Sequence, residues 1–190
     1  MIRFVPNILT MLRILLVPVF IWFFFYSRIP HSLIWAAVIF VIAEITDYLD
    51  GKIARKYNVI SNFGKVMDPL ADKILTGTAL IGIAVPPFQL ISVVTVIVII
   101  FREVAVSILR QVYVKRKIYL PANNWGKIKT VSQMTGLTIT IIYLALVNVE
   151  NYVISMIIYY YFWLVALITA LSGVSYFIPL FFPARNGESK

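Results

Sequence analysis

Long apolar runs separated by short polar segments dominate the chain. Each run holds about 20 residues or more, which is the length that an α-helix needs to cross the hydrocarbon core of a bilayer. The pattern therefore predicts an all-α, polytopic membrane protein with six transmembrane helices. The predicted helices fall at 8–26, 33–57, 65–84, 88–114, 125–147 and 152–179.

The second predicted helix changes character along its length. It is apolar as far as Ala43 and then carries acidic and basic residues up to Tyr57. At the rise of an α-helix, residues 33–57 span nearly 40 Å, about 10 Å more than the hydrocarbon core. The polar end of this helix is therefore expected to reach into the headgroup layer.

Composition supports a membrane protein and excludes several kinds of chemistry. The chain has 190 residues, of which 61% are hydrophobic, and its length fits one domain over residues 1–190. It contains no cysteine, which excludes disulfides, zinc–thiolate sites and thiol catalysis. The net charge of +9 does not indicate nucleic-acid binding, because the basic residues flank the apolar runs and so point to membrane topology and anionic lipids.

The distribution of lysine and arginine predicts the orientation in the membrane. If both termini are cytoplasmic, twelve of these residues lie in cytoplasmic segments and only Arg28 lies in a loop on the other side. Cytoplasmic loops are enriched in lysine and arginine. We therefore expect a multi-pass protein of the cell (inner or plasma) membrane with cytoplasmic termini and a polar site that faces the cytoplasm.

Four of the eight acidic residues lie within one stretch, residues 47–72. They are Asp47, Asp50, Asp68 and Asp72. On a helix, Asp47 and Asp50 share a face with the small residues Gly51 and Ala54 and with Arg55. Asp68 and Asp72 are four residues apart and therefore share a face of the next helix. Packing these two faces together would make the four carboxylates converge.

Such a cluster repels itself unless cations relieve it. Oxygen-only ligands suit Mg²⁺, Mn²⁺ or Ca²⁺, and two ions bridged by carboxylates promote displacement at phosphorus. Small residues at Gly51, Ala54 and Gly64 would let a phosphorylated ligand approach the backbone, and Arg55 can hold a phosphate with two hydrogen bonds. The alternatives are a structural charge cluster or a cation-transport path, but a transport path does not require glycine and arginine at these positions.

The same stretch resembles the signature of the CDP-alcohol phosphatidyltransferases at every fixed position. The matching pattern is Asp47-x2-Asp50-Gly51-x2-Ala54-Arg55-x8-Gly64-x3-Asp68-x3-Asp72. Three outer motifs resemble the bacterial phosphatidylglycerophosphate synthase branch of that family. They read Pro6-Asn7-x-Leu9-Thr10-x2-Arg13, Arg102-Glu103-x3-Ser107-x-Leu109-Arg110 and Gly126-Lys127-x-Lys129-Thr130.

The resemblance implies a homodimeric membrane enzyme that joins CDP-diacylglycerol to sn-glycerol 3-phosphate, giving phosphatidylglycerophosphate and CMP. It also implies two ions, Mg²⁺ or Mn²⁺. Asp47, Asp50 and Asp68 would bind the first ion, and Asp47, Asp68 and Asp72 the second. Asp72 would also be the general base, with Asp68 beside it in the catalytic centre. The implied CDP-diacylglycerol site comprises Asp50, Gly51, Ala54, Arg55, Gly64 and Thr10.

An acceptor that carries a phosphate needs cations next to an otherwise negative centre. The candidates for this role are Arg110, Lys127, Lys129, Arg102 and Arg13. The alternative for the charges on the fourth predicted helix is a buried ion-pair network, including Glu103, that fixes helix packing. Two alternatives to the whole reaction also stay open: the same chemistry with inositol phosphate, serine, choline or phosphatidylglycerol as acceptor, and divalent-cation transport.

Overall fold

The structure is a computed structural model that describes residues 5–26, 29–57, 62–116, 124–147 and 151–181. Within these ranges every regular element is helical, which confirms the prediction of an all-α protein. A π-helical turn, Trp22–Tyr26, continues the first helix. The α-helices of the described ranges are α1 (Val5–Ile21), α2 (Ser32–Tyr57), α3 (Asn62–Ala84), α4 (Val93–Lys115), α5 (Asn124–Leu146) and α6 (Tyr152–Phe181).

In the part of the chain that the structure describes, three helical segments are long and apolar enough to cross a membrane. They are Ile8–Tyr26, Ser32–Ile53 and Tyr152–Val174, with mean hydropathies of 2.4, 1.8 and 2.0. α3 and α4 carry charged residues in their interiors, and α5 has lysines in its first two turns. The apolar segments support a membrane protein, whereas the full set of six spans and the orientation of the termini stay predictions.

The start of α4 differs from the sequence prediction. The apolar run predicted a helix from residue 88, but α4 begins at Val93. The preceding segment folds back onto the end of α3, because the backbone N–H of Leu90 donates to the carbonyl of Ile83 at 2.8 Å. Ser92 then caps α4, and its Oγ accepts a hydrogen bond from the backbone N–H of Val94 at 3.2 Å.

The helices pack as a closed ring. α1 packs against α2 and α3, α2 against α5, α5 against α6, α6 against α4, and α4 against α3. Apolar side chains fill the ring, and Phe20, Phe40 and Phe162 are fully buried. Gly136 lets α5 and α6 approach closely, because a Cβ at this position would lie 2.4 Å from the Tyr161 ring.

One end of the ring is polar. Helices that follow one another in the chain run in opposite directions, so the later parts of α2, α4 and α6 lie at the same end as the earlier parts of α1, α3 and α5. Buried Arg13 and Lys129 lie at this end, whereas Phe24 packs against Phe88 at the other. The fold therefore gathers charged residues of α1, α2, α4 and α5, among them the Arg13–Asp47 and Lys129–Glu103 pairs, at one end of the described helices, which we call the polar end.

Candidate active site

A buried arginine holds one carboxylate of the polar end. Arg13 on α1 is 1% exposed, and its Nη1 lies 2.7 Å from Oδ1 of Asp47 on α2. A charge this deeply buried is stable only if it is paired. The Asp47 side chain is 48% exposed, so a ligand can still reach it. Thr10 is fully buried on the same helix, one turn before Arg13.

A second carboxylate, Asp72, extends from α3 into the same charged environment. It interacts electrostatically with the carboxylates of Asp47 and Glu103 and with the cations of Arg13 and Lys129. These five side chains come from five different helices. Carboxylates and cations that are far apart in the sequence therefore lie close enough to interact electrostatically.

Part of the predicted site lies outside the described side chains. Asp50 and Asp68 occupy helical backbone positions one turn from Asp47 and Asp72, but their side chains are not among those described. The same holds for Ala54, Arg55 and Gly64, which lie in α2 and α3, while Gly51 follows Asp50 in α2. Among the described side chains, no three acidic or histidine residues cluster as metal ligands. The four-carboxylate site therefore stays a prediction.

The described part of the polar end nevertheless suits a hard divalent cation. Asp47 and Asp72 offer carboxylate oxygens from facing helices, and the nearby Glu103 adds further negative charge. Mg²⁺ and Mn²⁺ prefer such oxygen ligands, and a cation would reduce the repulsion between the carboxylates. The residues present thus fit a divalent metal.

Lys129 and Lys127 on α5 lie in different environments. Lys129 is 5% exposed and forms an ion pair with Oε1 of Glu103 on α4. Lys127, two residues earlier, is exposed. The prediction grouped both lysines as ligands of the acceptor phosphate. The structure brings Lys129 to the carboxylates and leaves Lys127 at the solvent-accessible surface.

The two arginines of α4 contact α6 through hydroxyl groups. Nη2 of Arg102 donates to Oγ of Ser172 at 2.8 Å, and Nη2 of Arg110 donates to Oη of Tyr176 at 3.2 Å. Arg110 also lines a cavity of about 450 Å³ between α3 and α4, together with other residues that include Lys73 and Lys115. Both arginines of α4 are therefore anchored to α6, and Arg110 also borders a cavity.

A sequence profile of the CDP-alcohol phosphatidyltransferase family matches residues 3–175. The chain belongs to the CDP-alcohol phosphatidyltransferase family. This membership confirms the resemblance drawn from the aspartate signature. CDP-alcohol phosphatidyltransferases generally use a divalent metal, in agreement with the oxygen ligands at the polar end.

Three relatives within the family show how far the similarity extends. The CDP-diacylglycerol--glycerol-3-phosphate 3-phosphatidyltransferase of Rickettsia bellii (strain RML369-C) is 38% identical over 180 residues, covering 90% of this chain and 92% of the relative. The protein of the same name from Bacillus subtilis (strain 168) is 36% identical over 183 residues, with the same coverage. A probable phosphatidylglycerophosphate synthase of Mycobacterium tuberculosis (strain ATCC 25618 / H37Rv) is 42% identical over 135 residues, or 69% of this chain and 62% of the relative.

Sequence reasoning missed several side chains of this CDP-alcohol phosphatidyltransferase. Ser172 and Tyr176 hold the arginines of α4, and Thr138 on α5 donates a hydrogen bond to Oε2 of Glu44 on α2 at 2.7 Å. These contacts join residues 66 to 94 positions apart, so no local spacing reveals them. The one available signal was a pair of polar residues, Ser172 and Tyr176, one helical turn apart in an apolar helix.

Proposed function

We propose that the protein transfers the phosphatidyl group of CDP-diacylglycerol to sn-glycerol 3-phosphate, forming phosphatidylglycerophosphate and CMP. The observation that carries this proposal is the ion pair of Arg13 with Asp47 at the polar end of a family member, with Asp72 and Lys129 within electrostatic range. Relatives named for this reaction, which match 90% of the chain, support the choice of donor and acceptor.

The carboxylates of α2 and α3 form the reacting centre in this proposal. Asp47, Asp50, Asp68 and Asp72 would hold two divalent ions, Mg²⁺ or Mn²⁺, which supply positive charge at the diphosphate and at the departing CMP. Arg13 keeps the Asp47 carboxylate in place from the side of α1. The proposed CDP-diacylglycerol site consists of Asp50, Gly51, Ala54, Arg55, Gly64 and Thr10.

The transfer is a displacement at the phosphorus that carries diacylglycerol. Asp72, with Asp68 beside it, accepts the proton of the acceptor hydroxyl. The hydroxyl oxygen bonds to that phosphorus, the bond from the phosphorus to the bridging oxygen breaks, and CMP leaves with the electron pair. The proposed sources of positive charge for the acceptor phosphate are Arg110, Lys127, Lys129, Arg102 and Arg13. Two of them, Arg13 and Lys129, are also paired with the carboxylates of Asp47 and Glu103.

The proposal places this chemistry at a membrane surface. The chain forms a single domain over residues 1–190, crosses the plasma membrane six times, and has both termini and the polar end in the cytoplasm. The three apolar helical segments and the excess of lysine and arginine on one side support this topology. The homodimer is proposed on the family resemblance alone.

An acceptor panel tests the function. Purified protein with Mg²⁺ or Mn²⁺ and CDP-diacylglycerol is given glycerol 3-phosphate, inositol phosphate, serine, choline or phosphatidylglycerol in parallel, and CMP release and the lipid product are measured. We expect product with glycerol 3-phosphate alone. Product with a different alcohol and none with glycerol 3-phosphate would overturn the acceptor assignment. Divalent-cation flux through proteoliposomes without any CMP release would instead favour a transporter.

A further inference from the structure

Tyr176 on α6 contacts both arginines of α4. Its hydroxyl accepts the hydrogen bond from Arg110, and the guanidinium carbons of Arg110 and Arg102 each lie 5.8 Å from the centre of its ring. The face of an aromatic ring attracts cations at such distances. One side chain that is 7% exposed therefore contacts two positive charges that repel each other.

The surroundings of Tyr176 fix its position. Tyr113 of α4, which is 2% exposed, donates a hydrogen bond from its hydroxyl to the backbone carbonyl of Tyr176 at 2.9 Å. A Cβ at Gly126 of α5 would lie 3.7 Å from the Tyr176 hydroxyl. The hydroxyl thus lies at the start of α5, immediately before Lys127 and Lys129.

Arg102 is more tightly packed against α6 than Arg110. Ser172, which is 2% exposed, accepts its hydrogen bond. A Cβ at Gly173 would lie only 3.1 Å from Cγ of Arg102, so a residue without a side chain makes room for the arginine stem. Arg110 is exposed by comparison, and its remaining N–H groups are available to a ligand.

The cations of the polar end are held in two chemically different ways. Arg13 and Lys129 pair with the carboxylates of Asp47 and Glu103, which offset their charge. Arg110 is held by the hydroxyl of Tyr176, which orients a guanidinium without cancelling its charge. Glu103 lies two turns before Arg110 on the same face of α4. Because Glu103 pairs with Lys129, it attracts Arg110 less strongly.

We propose that Tyr176 is a positioning residue that holds Arg110 ready to bind the phosphate of the acceptor alcohol. This inference rests on the proposed function and assigns a part of it to α6. Tyr176 lies just beyond the residues matched by the family profile, which end at 175. It would act through Arg110 and would set the affinity for a phosphate-bearing acceptor rather than the rate of phosphatidyl transfer.

Tyr176→Phe tests the inference, because it removes the hydroxyl and keeps the ring. We expect the KM for glycerol 3-phosphate to rise about five-fold, the effect of losing one ordinary hydrogen bond. The kcat and the KM for CDP-diacylglycerol should stay at their wild-type values. Tyr161→Phe is the matched control, since its hydroxyl also joins α6 to a neighbouring helix by donating to the backbone carbonyl of Ser132 on α5 at 2.8 Å. This control should leave the KM for glycerol 3-phosphate unchanged.

A double-mutant cycle separates positioning from a general packing role. Arg110→Gln should raise the KM for glycerol 3-phosphate by itself, and adding Tyr176→Phe should then raise it no further. Additive effects, a wild-type KM in Tyr176→Phe, or equal rises in both KM values would overturn the inference. If the wild-type protein makes no product from glycerol 3-phosphate, the proposed function fails instead, so the two failures are distinguishable.

Discussion

The polar end contains two regions that are assembled differently. The carboxylate region consists of Asp47, Asp50, Asp68 and Asp72 on the consecutive helices α2 and α3. The cation region consists of Arg102, Arg110, Lys127 and Lys129 on α4 and α5. Residues of the first region follow one another at helical spacing. The side-chain contacts that hold the second region join residues 26, 66 and 70 positions apart.

This difference shows that residue spacing can reveal where charged side chains lie on a helix, whereas helix packing determines which partners they have. Spacing places two carboxylates on each of two helix faces, so the chemistry of the carboxylate region can be read along the chain. In the cation region, spacing shows that positive charges are present but not how each is held. Packing pairs Lys129 with the carboxylate of Glu103, which offsets its charge. It pairs Arg110 with the hydroxyl of Tyr176, which does not, so the cations differ in how strongly they can attract a substrate.

The largest effect is expected from Asp72→Asn in the carboxylate region. The amide keeps the shape of the side chain but cannot accept the proton of the acceptor hydroxyl. We expect kcat to fall by about 100- to 10,000-fold, the usual contribution of a general base, as measured by CMP release. Glu103→Gln makes the same chemical change at the carboxylate that pairs with Lys129 of the cation region, and it should cost much less in kcat. Near-normal CMP release by Asp72→Asn would contradict the general-base role.

Arg13→Lys tests which region Arg13 serves. The sequence assigned Arg13 to the acceptor phosphate, but its Nη1 lies 2.7 Å from Asp47. A group that holds a metal ligand in place typically accounts for about 10- to 100-fold in metal affinity or activity, and lysine does not reproduce the planar geometry of arginine. We therefore expect the concentration of Mg²⁺ or Mn²⁺ needed for half-maximal activity to rise by about that factor.

The comparison variant is Arg110→Lys in the cation region. It should raise the KM for glycerol 3-phosphate and leave the metal requirement unchanged, which is the opposite pattern to Arg13→Lys. If both substitutions raise only the KM for glycerol 3-phosphate, Arg13 belongs with the acceptor site and the boundary between the two regions is drawn wrongly.

The same contrast explains how much could be predicted from the sequence. The apolar runs predicted the helices, and α2 and α3 begin within three residues of the predicted positions. The aspartate signature predicted the family, which is confirmed. The predicted start of α4 was wrong, because the hydrogen bond that folds Leu90 back onto Ile83 leaves no trace in the pattern of apolar residues. Tyr176 was missed because an aromatic residue in an apolar helix looks the same whether it faces lipid or an arginine.

The smallest effect is expected from Lys127→Ala. This substitution tests whether every cation of the cation region contributes equally to binding glycerol 3-phosphate. Lys127 is exposed, and an ion pair in water contributes about 0.2–1 kcal/mol. We therefore expect the KM for glycerol 3-phosphate to rise by about 1.5- to 5-fold at low salt, with the KM for CDP-diacylglycerol unchanged. High salt should abolish the difference, because it shortens the distance over which exposed charges interact from about 10 Å at 0.1 M to about 3 Å at 1 M. Arg116→Ala, an exposed cation at the end of α4, is the matched control and should leave the KM for glycerol 3-phosphate at its wild-type value. A large rise that persists at high salt would mean that Lys127 contacts the bound phosphate directly, in a site closed to solvent.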